Sequence, residues 1–156
     1  MSQWLKHMCA VYISVAGSGA DDWLRIGKST VFSVNFNPQV ETTDYIEDEF
    51  PTDIVRRYNP SMDQEIAMIE GDDAFDALFA VRQALPTGTD ANKRVLVVYP
   101  KDGTNGKVSF AATATIRFNS ELFVDSKLTF TLGSLKDISW GETAFSNGKP
   151  SFTANS

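Results

Sequence analysis

GDDAFDALFAVRQAL, residues Gly71 to Leu85, is the one strongly helical stretch in a chain that otherwise alternates in the manner of β-strands. Phe75, Leu78, Phe79 and Leu85 recur at three- and four-residue intervals and share one side of a 3.6-residue helix, with Asp72, Asp76, Arg82 and Gln83 mainly outside that stripe. Asp72 or Asp73 suits the positive N-terminal end as a cap, and Pro86-Thr87-Gly88 stops the helix. The apolar stripe predicts docking on a sheet, and one helix is too little to cover all the β-structure around it.

Outward from the helix the period falls to two. Val11, Ile13 and Val15 alternate in a first strand, Trp23 to Ile26 forms a short second one after the Gly17-Ser18-Gly19 turn, and Thr30 to Phe36 a third. Gln64 to Glu70 leads into the helix, and Arg94 to Pro100 reads as a strand buried on both faces. Lys107 to Phe118 sets Val108, Phe110, Ala112, Ala114, Ile116 and Phe118 against Ser109, Ala111, Thr113, Thr115 and Arg117. At ~3.3 Å per residue it spans about 40 Å, roughly twice the usual strand. Lys127 to Gly133 repeats the scheme with Thr129 and Thr131 opposite Leu128, Phe130 and Leu132, and a final strand is expected around Ile138 to Phe145. Ser109, Thr113, Thr115, Thr129 and Thr131 thus form a candidate smooth wall of hydroxyls. Such a face suits a wet channel, and it equally suits an ordinary solvent-facing sheet.

Glu41 to Asn59 is different. It carries Glu41, Asp44, Glu47, Asp48, Glu49 and Asp53 together with Tyr45, Ile46, Phe50, Ile54, Val55 and Tyr58. Two strands flanking an acidic tip at Glu47 to Pro51 would make an extended hairpin, and its apolar content exceeds what a free solvated loop should carry. The expectation is a projecting arm that contacts a partner; the alternative is an ordinary hairpin folded onto its own domain.

The 156 residues suffice for one domain, residues 1–156, with a real core, and 42% hydrophobic content is ordinary for a globular chain. Fourteen Lys and Arg against 20 Asp and Glu give a formal charge of -6, which argues against a surface built to grip a nucleic-acid backbone. It is compatible with a wall that lets a polyanion slide past. Cys9 is the only cysteine, so no intramolecular disulfide supports the fold, which suits assembly in a reducing cytoplasm. No apolar run is long enough to span a bilayer. Lys6 followed by Met8 to Ala16 superficially resembles a signal peptide, but Tyr12 and Ser14 interrupt it and the segment alternates as a strand does.

Apparent catalytic motifs fail one by one, and the chain reads as non-enzymatic, without metal or cofactor. Gly27-Lys28-Ser29-Thr30 resembles the end of a phosphate-binding loop, but Asp22 stands where its first glycine belongs and strand-like residues follow. Gly17 and Gly19 begin a dinucleotide fingerprint that Asp22 again breaks. His7 and Cys9 are the only imidazole and thiol, with no second ligand pair. Among 20 carboxylates, adjacent pairs are inevitable and do not by themselves indicate acid–base chemistry.

The order of features from Phe32 to Leu85, FSVNFNPQVETTDYIEDEFPTDIVRRYNPSMDQEIAMIEGDDAFDALFAVRQAL, resembles the major tail tube proteins of long-tailed, non-contractile bacteriophages, particularly those infecting Gram-positive bacteria. The residues carrying the resemblance are Asn37, Pro38 and Gln39; Tyr45 and Ile46; Thr52 and Val55; Tyr58, Pro60 and Ser61; and Gly71, Asp72, Phe75 and Asp76. It extends from about Trp23 to Phe145, while the opening MSQWLKHMC is less typical. The resemblance implies the phage tail-tube fold: mainly β, a β-sandwich or partial barrel flanked by one α-helix at about residues 72–85, with an extended hairpin arm at about residues 41–59. It further implies hexameric rings stacked into a tube, an inner β-barrel shared between subunits, and an arm crossing to the next copy to bury Tyr45, Ile46 and Ile54 there. The implied partners are further copies of the chain, a tape-measure protein and tail-tip or terminator proteins, with viral DNA passing through unbound and no membrane contact. The implied location is the virion, after assembly in the bacterial cytoplasm.

Two rivals stand beside this reading. A monomeric β-sandwich module binding carbohydrate would need Trp4, Trp23 or Trp140 exposed together in a groove. A hydrolase would need two carboxylates converging in a cleft. Neither accounts for the arm.

Overall fold

A computed structural model describes residues 3–4, 9–14, 23–27, 29–47, 49–147 and 149–155. Val15, the Gly17-Ser18-Gly19 turn, His7, Asp22 and Lys28 lie outside the described residues. The chain runs β1 (Ala10–Ser14), β2 (Leu24–Arg25), β3 (Ser29–Asn35), β4 (Pro38–Thr43), β5 (Thr52–Tyr58), β6 (Ser61–Ala67), α1 (Asp73–Ala84), a 3-10 turn (Gly88–Ala91), β7 (Asn92–Asp102), β8 (Lys107–Leu122), β9 (Lys127–Ser146) and β10 (Lys149–Ala154). Among the described residues the protein is mainly β, with one α-helix and two sheets. The larger sheet has the order β2-β1-β7-β8-β9-β6-β3, with β10 also on β9, and β4 and β5 form a separate pair. All pairings are antiparallel. The end strands β2 and β3 do not pair, so the large sheet is not a closed barrel.

The alternation in β8 explains the core. Phe110, Ala112, Ala114 and Ile116 face one side and join Val11 and Ile13, Val95 and Val97, Leu128, Phe130 and Leu132, and Met62 and Ile66. The helix covers this side, but its buried stripe is rotated from the expected one. Ala74 and Leu78 are buried and Phe75 and Val81 pack partly, whereas Phe79 and Leu85 remain exposed. Ala74, Leu78 and Val81 follow the i, i+4, i+7 spacing of a docked face. Ala74 and Leu78 take the buried positions, and the bulkier Phe79 stands at the margin beside Phe75, 5.8 Å away between ring centroids. The cap also differs from expectation: Asp72 is the N-cap residue but makes no side-chain capping bond, and Asp76 Oδ1 instead accepts a long 3.5 Å bond from the Gly71 N–H. At the other end Leu85 adopts the left-handed conformation and its N–H returns to the Arg82 carbonyl at 3.1 Å.

β9 is a single strand where the sequence suggests two. Ser134 (φ 51°) and Asp137 (φ 54°) interrupt its two-residue period, while pairing with β8 continues on either side of the irregularities. Bulges of this kind bend a strand, and here they separate a half paired with β6 from a half paired with β10. β10 is not anticipated in the sequence. It lies so close to β9 that a Cβ on Gly141 would sit 2.1 Å from the Thr153 carbonyl oxygen, so this position requires glycine.

Candidate assembly interface

The arm forms as an independent hairpin. At its base Asn37, with φ 46°, turns the chain out of β3; its Nδ2 donates to the Asn59 carbonyl at 3.1 Å and to Ser61 Oγ at 3.0 Å. The Asn59 N–H donates to the Phe36 carbonyl at 3.1 Å, closing the neck. Asn tolerates the left-handed conformation better than other non-glycine residues, which is why it can make this corner.

Beyond the neck, β4 and β5 pair as Pro38↔Tyr58, Gln39↔Arg57, Val40↔Val55, Glu41↔Ile54, Thr42↔Asp53 and Thr43↔Thr52, with a bulge between Gln39 and Val40. Cross-strand partners share a face, and the bulge absorbs Arg56, so Pro38, Val40, Val55 and Tyr58 line one side, with Thr42 and Asp53 next to them toward the tip. Gln39, Arg57, Glu41, Ile54, Thr43 and Thr52 line the other, where Arg56 bonds Glu41 at 2.5 Å. Thr42 Oγ1 donates to Asp53 Oδ1 at 2.7 Å. Tyr45, Ile46, Phe50, Ile54, Val55 and Tyr58 are all exposed, and Ile46 reaches 104%. Ile54 therefore belongs to the charged face, apart from Val55 and Tyr58. An isolated two-stranded hairpin is marginal in water, and this one leaves Val40, Val55 and Tyr58 uncovered on one face and Tyr45, Ile46 and Phe50 uncovered at the tip.

The sheet face opposite the helix holds the hydroxyl residues, in two different settings. Ser109 is fully buried and shares a 2.7 Å hydrogen bond with Thr143, so it cannot line a solvent-filled wall. That end of the face carries a second apolar cluster of Ala10, Tyr12, Leu96, Val98 and Ala111, against which Trp23 and Phe152 of β10 pack. The sequence pattern gives no sign of β10, whose Phe152 helps close this end, so Ser109 belongs with the buried residues and not with the open hydroxyls. Thr131 is also buried: it donates to Asp63 Oδ1 and accepts from Asn119 Nδ2, each at 3.0 Å. Thr113, Thr115 and Thr129 stay half-exposed, each with a cross-strand partner: Arg94 donates to Thr113 at 3.3 Å, Thr115 donates to Asn92 at 3.2 Å, and Thr129 meets Ser120 at 2.6 Å.

This face is not negative. By register it presents Arg94, Arg117, Lys127 and Lys136 against Asp63 and Glu65. The carboxylates that make the chain acidic concentrate elsewhere, on the arm and in the first helical turn. The whole-chain charge of -6 is therefore no guide to this face.

Two of the three tryptophans meet. Trp4 and Trp140 both lie against Tyr99, at 5.8 and 6.0 Å between centroids, with Trp140 and Tyr99 near-parallel at 16°. Both tryptophans are about half exposed. Burial pushes the Tyr99 hydroxyl above its ordinary value, reinforced by the nearby Cys9, and burial does the same to Tyr12 against a smaller lowering by Arg25. Trp23 sits on the opposite face in the second cluster. Neither Trp4 nor Trp140 lines the grooves along the helix, beside β10, at β2 or at the C-terminal end of the helix. No three metal-ligating side chains gather among the described residues, and none of their helices is long and apolar enough to cross a membrane.

A scan of protein-family models finds no match to the chain, and no curated protein matches it.

Proposed function

We propose that this chain is a structural subunit that polymerises with copies of itself through its arm. The observation that carries the reading is the two-faced hairpin, separate from the main sheet, with its stripe of Pro38, Val40, Val55 and Tyr58 and its tip of Tyr45, Ile46 and Phe50 left in water. Each large side chain so covered contributes about 1.5 to 3 kcal/mol, a strong drive when repeated around a ring. With the resemblance to tail tube proteins, the assembly takes the form of stacked hexameric rings whose sheets join into a barrel around a lumen that conducts viral DNA. Joining copies edge to edge would cover the open edges at β2 and β3, which otherwise invite uncontrolled pairing. Tape-measure and tail-tip proteins would then set length and starting point. Analytical ultracentrifugation across concentration, with and without those proteins, tests it: growth into large discrete species supports the reading, and a monomer under every condition refutes it.

A second reading rests on the Trp4–Tyr99–Trp140 group. Half-exposed stacked aromatics suit the apolar face of a sugar ring, and the chain would then be a monomeric carbohydrate-binding module. Glycan-array binding abolished by Trp140→Ala, from a protein that stays monomeric, would favour it over polymerisation. It leaves the uncovered arm without a purpose, which is why the assembly reading is preferred.

A further inference from the structure

The turn between β7 and β8, Asp102-Gly103-Thr104-Asn105-Gly106-Lys107, holds two residue pairs able to cyclise, an Asp–Gly and an Asn–Gly. In each, the glycine nitrogen can attack the side-chain carbonyl carbon, because closing a five-membered ring needs no encounter and glycine has no Cβ to shield its N–H. The structure separates the two. Asp102 forms an ion pair with Lys107, and the Gly103 N–H is committed to the Gly106 carbonyl at 2.7 Å. Asn105 is exposed, and neither its side-chain amide nor the Gly106 N–H makes a hydrogen bond among the described residues. Glycine is also imposed at 106: a Cβ there would sit 2.4 Å from the Thr143 carbonyl oxygen, so no bulkier residue can stand in its place and slow the closure.

The same turn is held to β9 by one side chain. Glu142 accepts the Thr104 N–H at 2.6 Å on one carboxylate oxygen and the Asn105 N–H at 2.9 Å on the other, a clasp of charge-assisted bonds from successive backbone donors. Asn105 and Glu142 line one groove beside β10.

We propose that Asn105 is a site of spontaneous deamidation and that its conversion opens the Glu142 clasp. The Gly106 nitrogen bonds to Cγ of Asn105 and gives up its proton, while the Cγ–Nδ2 bond breaks and the amide nitrogen leaves as ammonia. Water then opens the succinimide at one carbonyl or the other, giving aspartate or isoaspartate. Water is the only co-reactant. Either product sets a new carboxylate beside that of Glu142, where repulsion weakens the bonds that hold the turn. Isoaspartate also lengthens the backbone by a methylene. The modification belongs to the folded subunit and does not depend on assembly.

Purified protein is held at physiological temperature and mildly alkaline pH, folded or unfolded in urea, and its peptides are then sequenced by mass spectrometry. Asn105 should exchange its amide NH for oxygen, in aspartate and isoaspartate forms, within about tenfold of its rate in the unfolded chain, since only local opening of the turn separates the two. Isomerisation at Asp102 should be suppressed by folding far more strongly. Retention of the Asn105 amide in the folded chain while the unfolded chain converts overturns the site. For the clasp, Asn105→Asp should speed hydrogen exchange of the Thr104 amide about tenfold, and much less in a Glu142→Gln background that presents no like charge. Equal acceleration in both backgrounds, or none in either, overturns the opening of the clasp.

Discussion

Leu78→Ala is the sharpest probe of how the helix holds the sheet. Leu78 is fully buried in the main core among residues from five strands, so truncation removes about three carbons' worth of transfer free energy, roughly 2.5 kcal/mol, and leaves a cavity that brings the cost to about 3 to 5 kcal/mol. For a chain of this size each kcal/mol lowers the melting temperature by about 2 to 4 °C, so a fall on the order of 10 °C is expected. Phe79, the larger side chain, is 38% exposed and leans on Phe75, so Phe79→Ala should cost only about 1 to 2 kcal/mol. Asp72→Ala should cost less than about 0.5 kcal/mol, because no capping bond is lost and only the attraction to the helix dipole disappears. Calorimetric melts of the three variants check the ranking. Equal losses for Leu78 and Phe79, or a larger loss for Phe79, would refute the rotated docking face.

Replacing Tyr45 and Ile46 with Ser should shift the melting temperature negligibly, since both are exposed, yet block growth of assemblies measured by light scattering; unchanged growth would remove the arm from the contact. Gly141→Ala should destabilise by about 1 to 3 kcal/mol by forcing β10 off β9, and limited proteolysis should then cleave near the C-terminus first. Tyr99 and Tyr12 have folded-state values raised above the ordinary 10.0, chiefly by burial, so their stabilisation is fully present below that pH and is lost as pH rises through the higher folded values. Stability measured by denaturant titration should therefore fall above about pH 10, less steeply in Tyr99→Phe.

The helix, the long strand β8 and the arm are legible in the sequence because each imposes its own regular period or composition. The apolar set of β8 from Phe110 to Ile116 forms the core as the alternation predicts. Legibility ends where geometry departs from a fixed period. Left-handed residues at Ser134 and Asp137 make one strand read as two, and the bulge in the arm places Val55 and Tyr58 on one face although their spacing is odd. β10, KPSFTA, is half-exposed and lacks a strong apolar rhythm, so neither it nor the burial of Ser109 is visible in advance. The rotated helix face turns on Ala74, which the larger apolar residues from Phe75 to Leu85 overshadow in the sequence and which the structure buries. Net charge of -6 likewise says nothing of which face carries it, and the hydroxyl face turns out to hold more cations than carboxylates in its rows.

A tube built from copies of this chain, as proposed above, is large enough to be seen directly. Negative-stain electron microscopy of the purified protein over a range of concentrations, alone and with tape-measure and tail-tip proteins, reads this directly. Rings with sixfold symmetry or stacked tubes with an open lumen are expected in at least one of these conditions. Uniform particles of monomer size in all of them would contradict it.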